Sequence, residues 1–167
     1  MIERAEPEIA VDERATLEQF LDYFRATLLV KVDGLDTETS RRQACPPSTL
    51  NLLGLVRHMA AVERHWFRRT LLAEDVPQLF FTDDDPELDM QPPPEATLEE
   101  AIAAFNTEMD AARRAVADLA LDDLALAPRY DGHPSLRWIM VHMIEEYARH
   151  AGHADLLREA IDGSTGD

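Results

Sequence analysis

The stretch Leu136-Arg-Trp-Ile-Met-Val-His-Met-Ile-Glu-Glu-Tyr-Ala-Arg-His-Ala-Gly-His-Ala-Asp-Leu-Leu157 decides how the chain is read. Its apolar residues, Leu136, Ile139, Met140, Met143, Ile144, Tyr147, Leu156 and Leu157, recur at three- and four-residue intervals, the period of a helix with one buried face. Ser135 is placed to cap its start and Gly163 to close it. At about 100° per residue, His142, Glu146, His150 and His153 fall on one narrow stripe that Ile139 and Leu157 share. Polar side chains on an inward-facing stripe must be paired, hydrated or bound to something, because an uncompensated buried charge is costly.

Three further helices are legible upstream. Thr16-Leu-Glu-Gln19 has the spacing of a capping box, and Leu17, Phe20, Leu21, Phe24, Leu28 and Val32 continue at helical intervals to Gly34. Pro46-Pro47-Ser48 gives a stop and a cap, after which Leu52, Leu55, Val56, Met59, Val62, Trp66 and Leu71 mark a longer helix ending near Ala73. Thr97-Leu-Glu-Glu100 repeats the capping box and opens a third helix, with Ile102, Phe105, Met109 and Val116 on one face, to about Ala120. No stretch alternates as a strand does and no repeat is present, so the fold class is all-α, a four-helix bundle with long connecting loops. Residues 1–167 read as one domain, with mobile ends over 1–11 and 163–167. The segment 74–96, rich in Asp, Glu and Pro around Leu79-Phe80-Phe81, reads as a long loop or lid anchored by its aromatics.

Composition narrows the function. Thirty-three acidic against sixteen basic residues give a net charge of -17, a field that repels nucleic-acid phosphates and anionic lipid surfaces. The N-terminus lacks the basic start and apolar run of a signal peptide, and no run of 18 apolar residues occurs, so we expect neither a membrane nor a nucleic-acid partner. Cys45 is the lone cysteine and fits a reducing cytoplasm.

His58 lies between Leu55 and Val62 on the apolar face of the second helix. Alone it reads as a hydrogen-bonded core residue. With Glu146 and His150 four residues apart on the last helix, two consecutive turns and a neighbouring helix can complete three ligands. Such a His, Glu, His set leaves a fourth position open, as in catalytic zinc sites; Ni, Fe and Mn are alternatives, whereas Mg and Ca call for more oxygens. His142 with Glu146 has the same spacing, and Glu146 could instead be paired with Arg149 or Arg137 in a structural polar network. Spacing alone does not choose among these. His65, among Arg64, Arg68 and Arg69, and His133, beside Pro134, read as surface residues.

The segment Leu-Leu-Gly-Leu-Val-Arg-His58-Met, together with Trp138 to Arg158, resembles the DinB-like superfamily of metal-binding four-helix proteins. In much of that superfamily all three ligands are histidine, and Glu146 is a departure. It looks like the branch that contains mycothiol-dependent maleylpyruvate isomerase and the mycothiol S-transferases. That resemblance implies a metal held by His58, Glu146 and His150, with His142, His153 and Arg149 supporting the site or facing substrate. It implies mycothiol as co-substrate, held as a metal-bound thiolate that attacks a small electrophile, in a transferase or isomerase. His153 is a candidate proton shuttle, Phe80 and Phe81 a candidate apolar wall, and Arg57, Arg64, Arg137 and Arg149 candidate contacts for the thiol. A metal-dependent hydrolase, or a bundle that only binds a metal or ligand or forms a homodimer, is the alternative reading.

Overall fold

The computed structural model describes residues 2–82, 84–85 and 87–165, and is all-helical. Helix α1 spans Glu13–Val32, a single turn α2 spans Thr37–Ser40, α3 spans Leu52–Glu63 and runs on as a π-helical segment Arg64–Leu71, α4 spans Leu98–Val116, and α5 spans Leu136–Asp162. The arm before α1 and the tail after α5 reach Met1, Gly166 and Asp167, which lie outside the described residues, as do Asp83 and Pro86 of the long loop. The described part of the arm lies back along α1, where Glu8 N–H donates to Gln19 (2.7 Å) and Arg4 sits 4.7 Å from the Tyr23 ring.

Capping explains where the helices start. Thr97 and Glu100 form the reciprocal box read from sequence, and Ser135 caps α5 by accepting from Trp138 N–H. Gly163 closes α5 in the left-handed region (φ 78°) that glycine adopts without strain. Two readings need correction. The cap of α1 is Asp12, which accepts from Ala15 N–H, so Thr16 is inside the helix and its hydroxyl donates to the Asp12 carbonyl. The cap of α3 is Asn51, accepting from Gly54 N–H, whereas Ser48 accepts only from Leu50 N–H in the preceding turn. In both cases a better acceptor, Asp or Asn, stands three or four residues from the Thr or Ser. Helix α4 stops at Val116 rather than near Ala120.

Helix α1 packs along α5 and α3 along α4, while α3 also touches α1 and α5. Their apolar stripes meet in one core that includes Leu28, Leu55, Met59, Phe67, Phe105, Ile139, Met143 and Tyr147, all nearly inaccessible. Burying each such side chain contributes about 1.5–3 kcal/mol of transfer free energy. Inside this core lies an ionic network. The Arg25 guanidinium donates to both carboxylate oxygens of Glu63 (2.7 and 2.8 Å), and Tyr147 O–H donates to Glu63 Oε1 (2.7 Å). Burial, and then the Glu63 carboxylate, push the Tyr147 phenol well above its ordinary range, so it remains a donor. One carboxylate at the end of α3 thus ties α1 and α5 in register beside the π segment.

Candidate metal centre

Three side chains converge where α3 meets α5. His58, Glu146 and His150 each present a ligand atom, and those atoms all lie within 4.8 Å of one another. His150 Nε2 is 3.6 Å from Glu146 Oε2, near the edge of about 3.4 Å expected when two ligands hold one ion at about 2.1 Å in a tetrahedron. The rings of His58 and His150 meet edge to face at 4.8 Å.

His58 is held from behind. Its Nδ1 is 2.9 Å from Oδ2 of Asp89, a nearly buried carboxylate whose Oδ1 accepts from Met90 N–H (2.7 Å). A carboxylate on Nδ1 keeps the proton there, orients the ring and leaves the Nε2 lone pair for an ion. Sequence reading missed Asp89, one acid among many in the 74–96 loop. The loop is pinned to α3 at several points. Arg57 donates to the carbonyls of Phe80, Leu88 and Asp89, with its guanidinium 4.1 Å from the Phe80 ring, and Asn51 donates to the Met90 carbonyl. Gly54 lets that backbone approach, since a Cβ there would stand 2.2 Å from the Met90 oxygen. Arg41 adds a clamp on the carbonyls of Pro92, Pro93, Pro94 and Ala96. The loop is therefore a docked strap carrying Asp89, and Arg57 is a fastener rather than a thiol contact.

His150 is mostly buried, and burial, followed by His58, His153 and Arg149, lowers its pKa to about 3. It is a neutral imidazole at physiological pH, as a ligand must be. His153 lies behind it, Nδ1 to Nδ1 at 3.4 Å, and is not among the residues that line the cleft described below. Glu146 turns its second oxygen to His142 Nε2 (3.5 Å), and Arg149 approaches Glu146 at 3.6 Å while bonding Glu145. A second ligand-like group, His142, Glu145 and Glu146, is less apt. Its close approaches use opposite nitrogens of His142, Nδ1 to Glu145 and Nε2 to Glu146, which cannot both face one ion. Glu145 is also exposed and paired with Arg149.

The centre opens into a cleft of about 460 Å³. His58, Asp89, His142 and Glu146 form one side, and Val62, Trp66 and Phe81 supply apolar wall. His142 stacks on Trp138 (5.0 Å) and meets Trp66 edge on (4.6 Å). Phe81 thus lines the cleft as read from sequence, whereas Phe80 turns to Arg57. The π segment shapes the opposite side. Consecutive residues of an α-helix point about 100° apart, and the wider π turn narrows that step so that His65 and Trp66 both reach the cleft. His65 is consequently not a surface residue: burial, then Arg129, Arg69 and His142, lower its pKa to about 4. Arg64 and Arg68 turn the other way, onto the buried Glu108 of α4, and Arg137 is paired with Glu13 and Asp122, so neither Arg64 nor Arg137 faces the cleft. His133 is exposed and bonds the Ala125 carbonyl. A second groove of about 320 Å³, beside Asp22, Arg25 and Arg113, holds no imidazole or cysteine, so the ligand-bearing chemistry lies in the first.

Comparison with known proteins bears on family and fold. A family model described as mycothiol-S-transferase matches residues 16–163, nearly the whole chain. The crystal structure of a conserved protein from Enterococcus faecalis superposes with a TM-score of 0.64 at 13% identity, covering 93% of this chain and 100% of that one, which speaks for a shared fold. Comparison with curated protein sequences gives no match. Among the described residues no helix is long and apolar enough to cross a membrane.

Proposed function

The chain belongs to the mycothiol S-transferase family, and from that membership we propose that it is a metal-dependent transferase that joins a low-molecular-weight thiol, mycothiol, to a small electrophile. The observation that supports the metal dependence is the meeting of His58, Glu146 and His150, of which His58 and Glu146 line the cleft and His150 lies buried behind them, with Asp89 bonded to His58 Nδ1. The donor set fits zinc: two imidazoles and one carboxylate from two helices, with a fourth direction open to the cleft. A divalent ion there would supply positive charge that lowers the pKa of an entering thiol and favours its thiolate near neutral pH.

The remaining roles belong to the chain. Neutral His150 and Asp89-anchored His58 already hold ligand atoms within 4.8 Å of each other and of Glu146, which keeps the reorganisation needed on binding small. His142 faces the same space from outside the ligand set and takes the thiol proton. Val62, Trp66 and Phe81 hold the apolar part of the electrophile beside the sulfur, which converts an encounter of two solutes into a local one. The sulfur lone pair forms the new S–C bond as the electrophile's leaving group departs, or as its activated double bond takes up the electrons and then a proton. His153 approaches His150, Nδ1 to Nδ1 at 3.4 Å, and serves to orient it.

The test begins with elemental analysis of protein purified without added metal, and of Glu146→Ala and His150→Ala. A stoichiometric divalent metal that both variants lose is expected; unchanged content would remove the proposed ligands. Incubation with an epoxide, with and without mycothiol, then reads the reaction. Thiol-dependent adduct formation supports transfer, and thiol-independent breakdown would replace it with metal-assisted hydrolysis.

A further inference from the structure

In a chain with 33 acidic residues, most guanidinium groups find a carboxylate. Around this cleft Arg64, Arg68 and Arg149 do so, and Arg57 and Arg41 are spent on backbone carbonyls. Arg69 and Arg129 line the cleft, and neither makes an ion pair with a carboxylate among the described residues. Arg129 is held by rings, 5.8 Å from Trp66 and 5.1 Å from Tyr130, a contact that positions its charge without neutralising it. His65 lies in the same wall with its Nε2 buried and without a hydrogen-bond partner. The two carboxylates of the cleft are committed elsewhere, Asp89 to His58 and Glu146 to the ligand set. The molecule as a whole repels anions, and here it presents two unanswered cations and an unanswered imidazole facing one space.

We propose that Arg69 and Arg129 form an anion subsite that receives the carboxylate of a small substrate with an apolar body. The planar guanidinium fork suits a carboxylate, and Val62, Trp66 and Phe81 suit the body. Taken with the transferase reading, on which this identification rests, that substrate is the electrophile, oriented by its charged end while its reactive carbon faces the thiol. The local sign of charge then selects anionic over neutral electrophiles, against the field of the whole protein.

Benzoate and its neutral counterpart benzamide are the probes. Trp66 lines the cleft and Trp138 lies 5.4 Å from it, so the chain's two tryptophans report binding by fluorescence. The wild-type protein is expected to bind benzoate at least about tenfold more tightly than benzamide, the equivalent of about 1.4 kcal/mol. The preference should weaken with added salt and disappear in the Arg69→Gln/Arg129→Gln double variant. Arg129 is exposed, so Arg129→Gln alone provides a second readout that does not disturb the core. Equal binding of the two probes by the wild type overturns the proposal. So does a preference that survives in the double variant, since the metal or another group would then hold the carboxylate. Elemental analysis of the same preparations keeps the two readings apart: lost preference with metal retained supports the subsite, and absent metal with the preference intact counts against the transferase reading alone.

Discussion

Replacing Asp89 by Asn is the most discriminating perturbation of the centre. Asp89 Oδ2 receives the Nδ1 proton of His58 at 2.9 Å while Oδ1 receives Met90 N–H at 2.7 Å, so both oxygens are in use. Asparagine keeps the volume and offers a single oxygen. Either Met90 N–H or His58 Nδ1–H then faces an amide NH2, and the charge that offsets positive charge on a metal-bound imidazole is gone. Hydrogen bonds to charged groups contribute about 1.5–3 kcal/mol, and partners behind metal-binding histidines commonly affect affinity 10- to 100-fold. We expect zinc affinity to fall by about that factor, measured by competition with a chromophoric chelator on metal-stripped protein, with helical circular dichroism unchanged. Zinc binding by Asp89→Asn within about threefold of wild type would show that His58 is not a ligand whose basicity matters, and would remove the main support for the site.

Further predictions follow from neighbouring contacts. Gly54→Ala places a Cβ 2.2 Å from the Met90 oxygen, a backbone atom that cannot rotate away, so the strap must lift. A loss of about 1–3 kcal/mol in urea unfolding is expected, with zinc affinity lowered toward that of Asp89→Asn, and wild-type values for both would refute the docking. Glu63→Ala leaves the buried Arg25 guanidinium with Asp22 as its remaining carboxylate partner and should cost about 3 kcal/mol, while Tyr147→Phe removes one charged hydrogen bond and should cost about 1.5–3 kcal/mol; both are read by denaturant midpoint. In metal-free protein His150 and His65 have folded pKa values of about 3 and about 4, below the unfolded value near 6.5. The unfolded chain therefore binds more protons in that interval, and the stability these histidines contribute is fully present above about pH 6.5 and declines toward pH 4. Melting temperature against pH should show this slope, and His65→Gln should flatten it; identical slopes would refute the assignment of a half-buried neutral His65.

The bundle was legible because each helix carries its own periodic stripe, and periodicity is a local property of the chain. The polar stripe of α5 was legible for the same reason, since His142, Glu146 and His150 stand on the face that Ile139 and Leu157 bury, but spacing left His142 with Glu146 and Glu146 with His150 equally open and only the resemblance chose the second as candidate ligands. His58 needed the resemblance, since nothing within α3 distinguishes a ligand from a core histidine. Asp89 was not legible at all: it sits in a loop dense with acids, and only the fold shows which of them reaches an imidazole 31 positions earlier. His65 was misread because Arg64, Arg68 and Arg69 around it suggested solvent, whereas the fold sends Arg64 and Arg68 to buried Glu108 and the π turn brings His65 into the cleft.

The same accounting explains how an acidic loop can be held against the candidate metal centre. Residues 74–96 have too few apolar side chains to dock by burial alone, and their charge opposes collapse. Arg57 and Arg41 supply what the loop lacks, donors that satisfy consecutive carbonyls, and Asn51 and Gly54 allow the backbone to lie against α3. Asp89 is thereby fixed before any ion arrives, and the cost of ordering the loop falls on folding rather than on metal binding. Arg57→Lys tests this directly. A lysine keeps the charge and loses the fork that spans Phe80, Leu88 and Asp89, so the loop should become susceptible to protease while the helices stay protected, and zinc affinity should fall as in Asp89→Asn. A protease-resistant loop with unchanged zinc affinity in Arg57→Lys would mean that the strap holds Asp89 by other contacts, and that preorganisation does not run through Arg57.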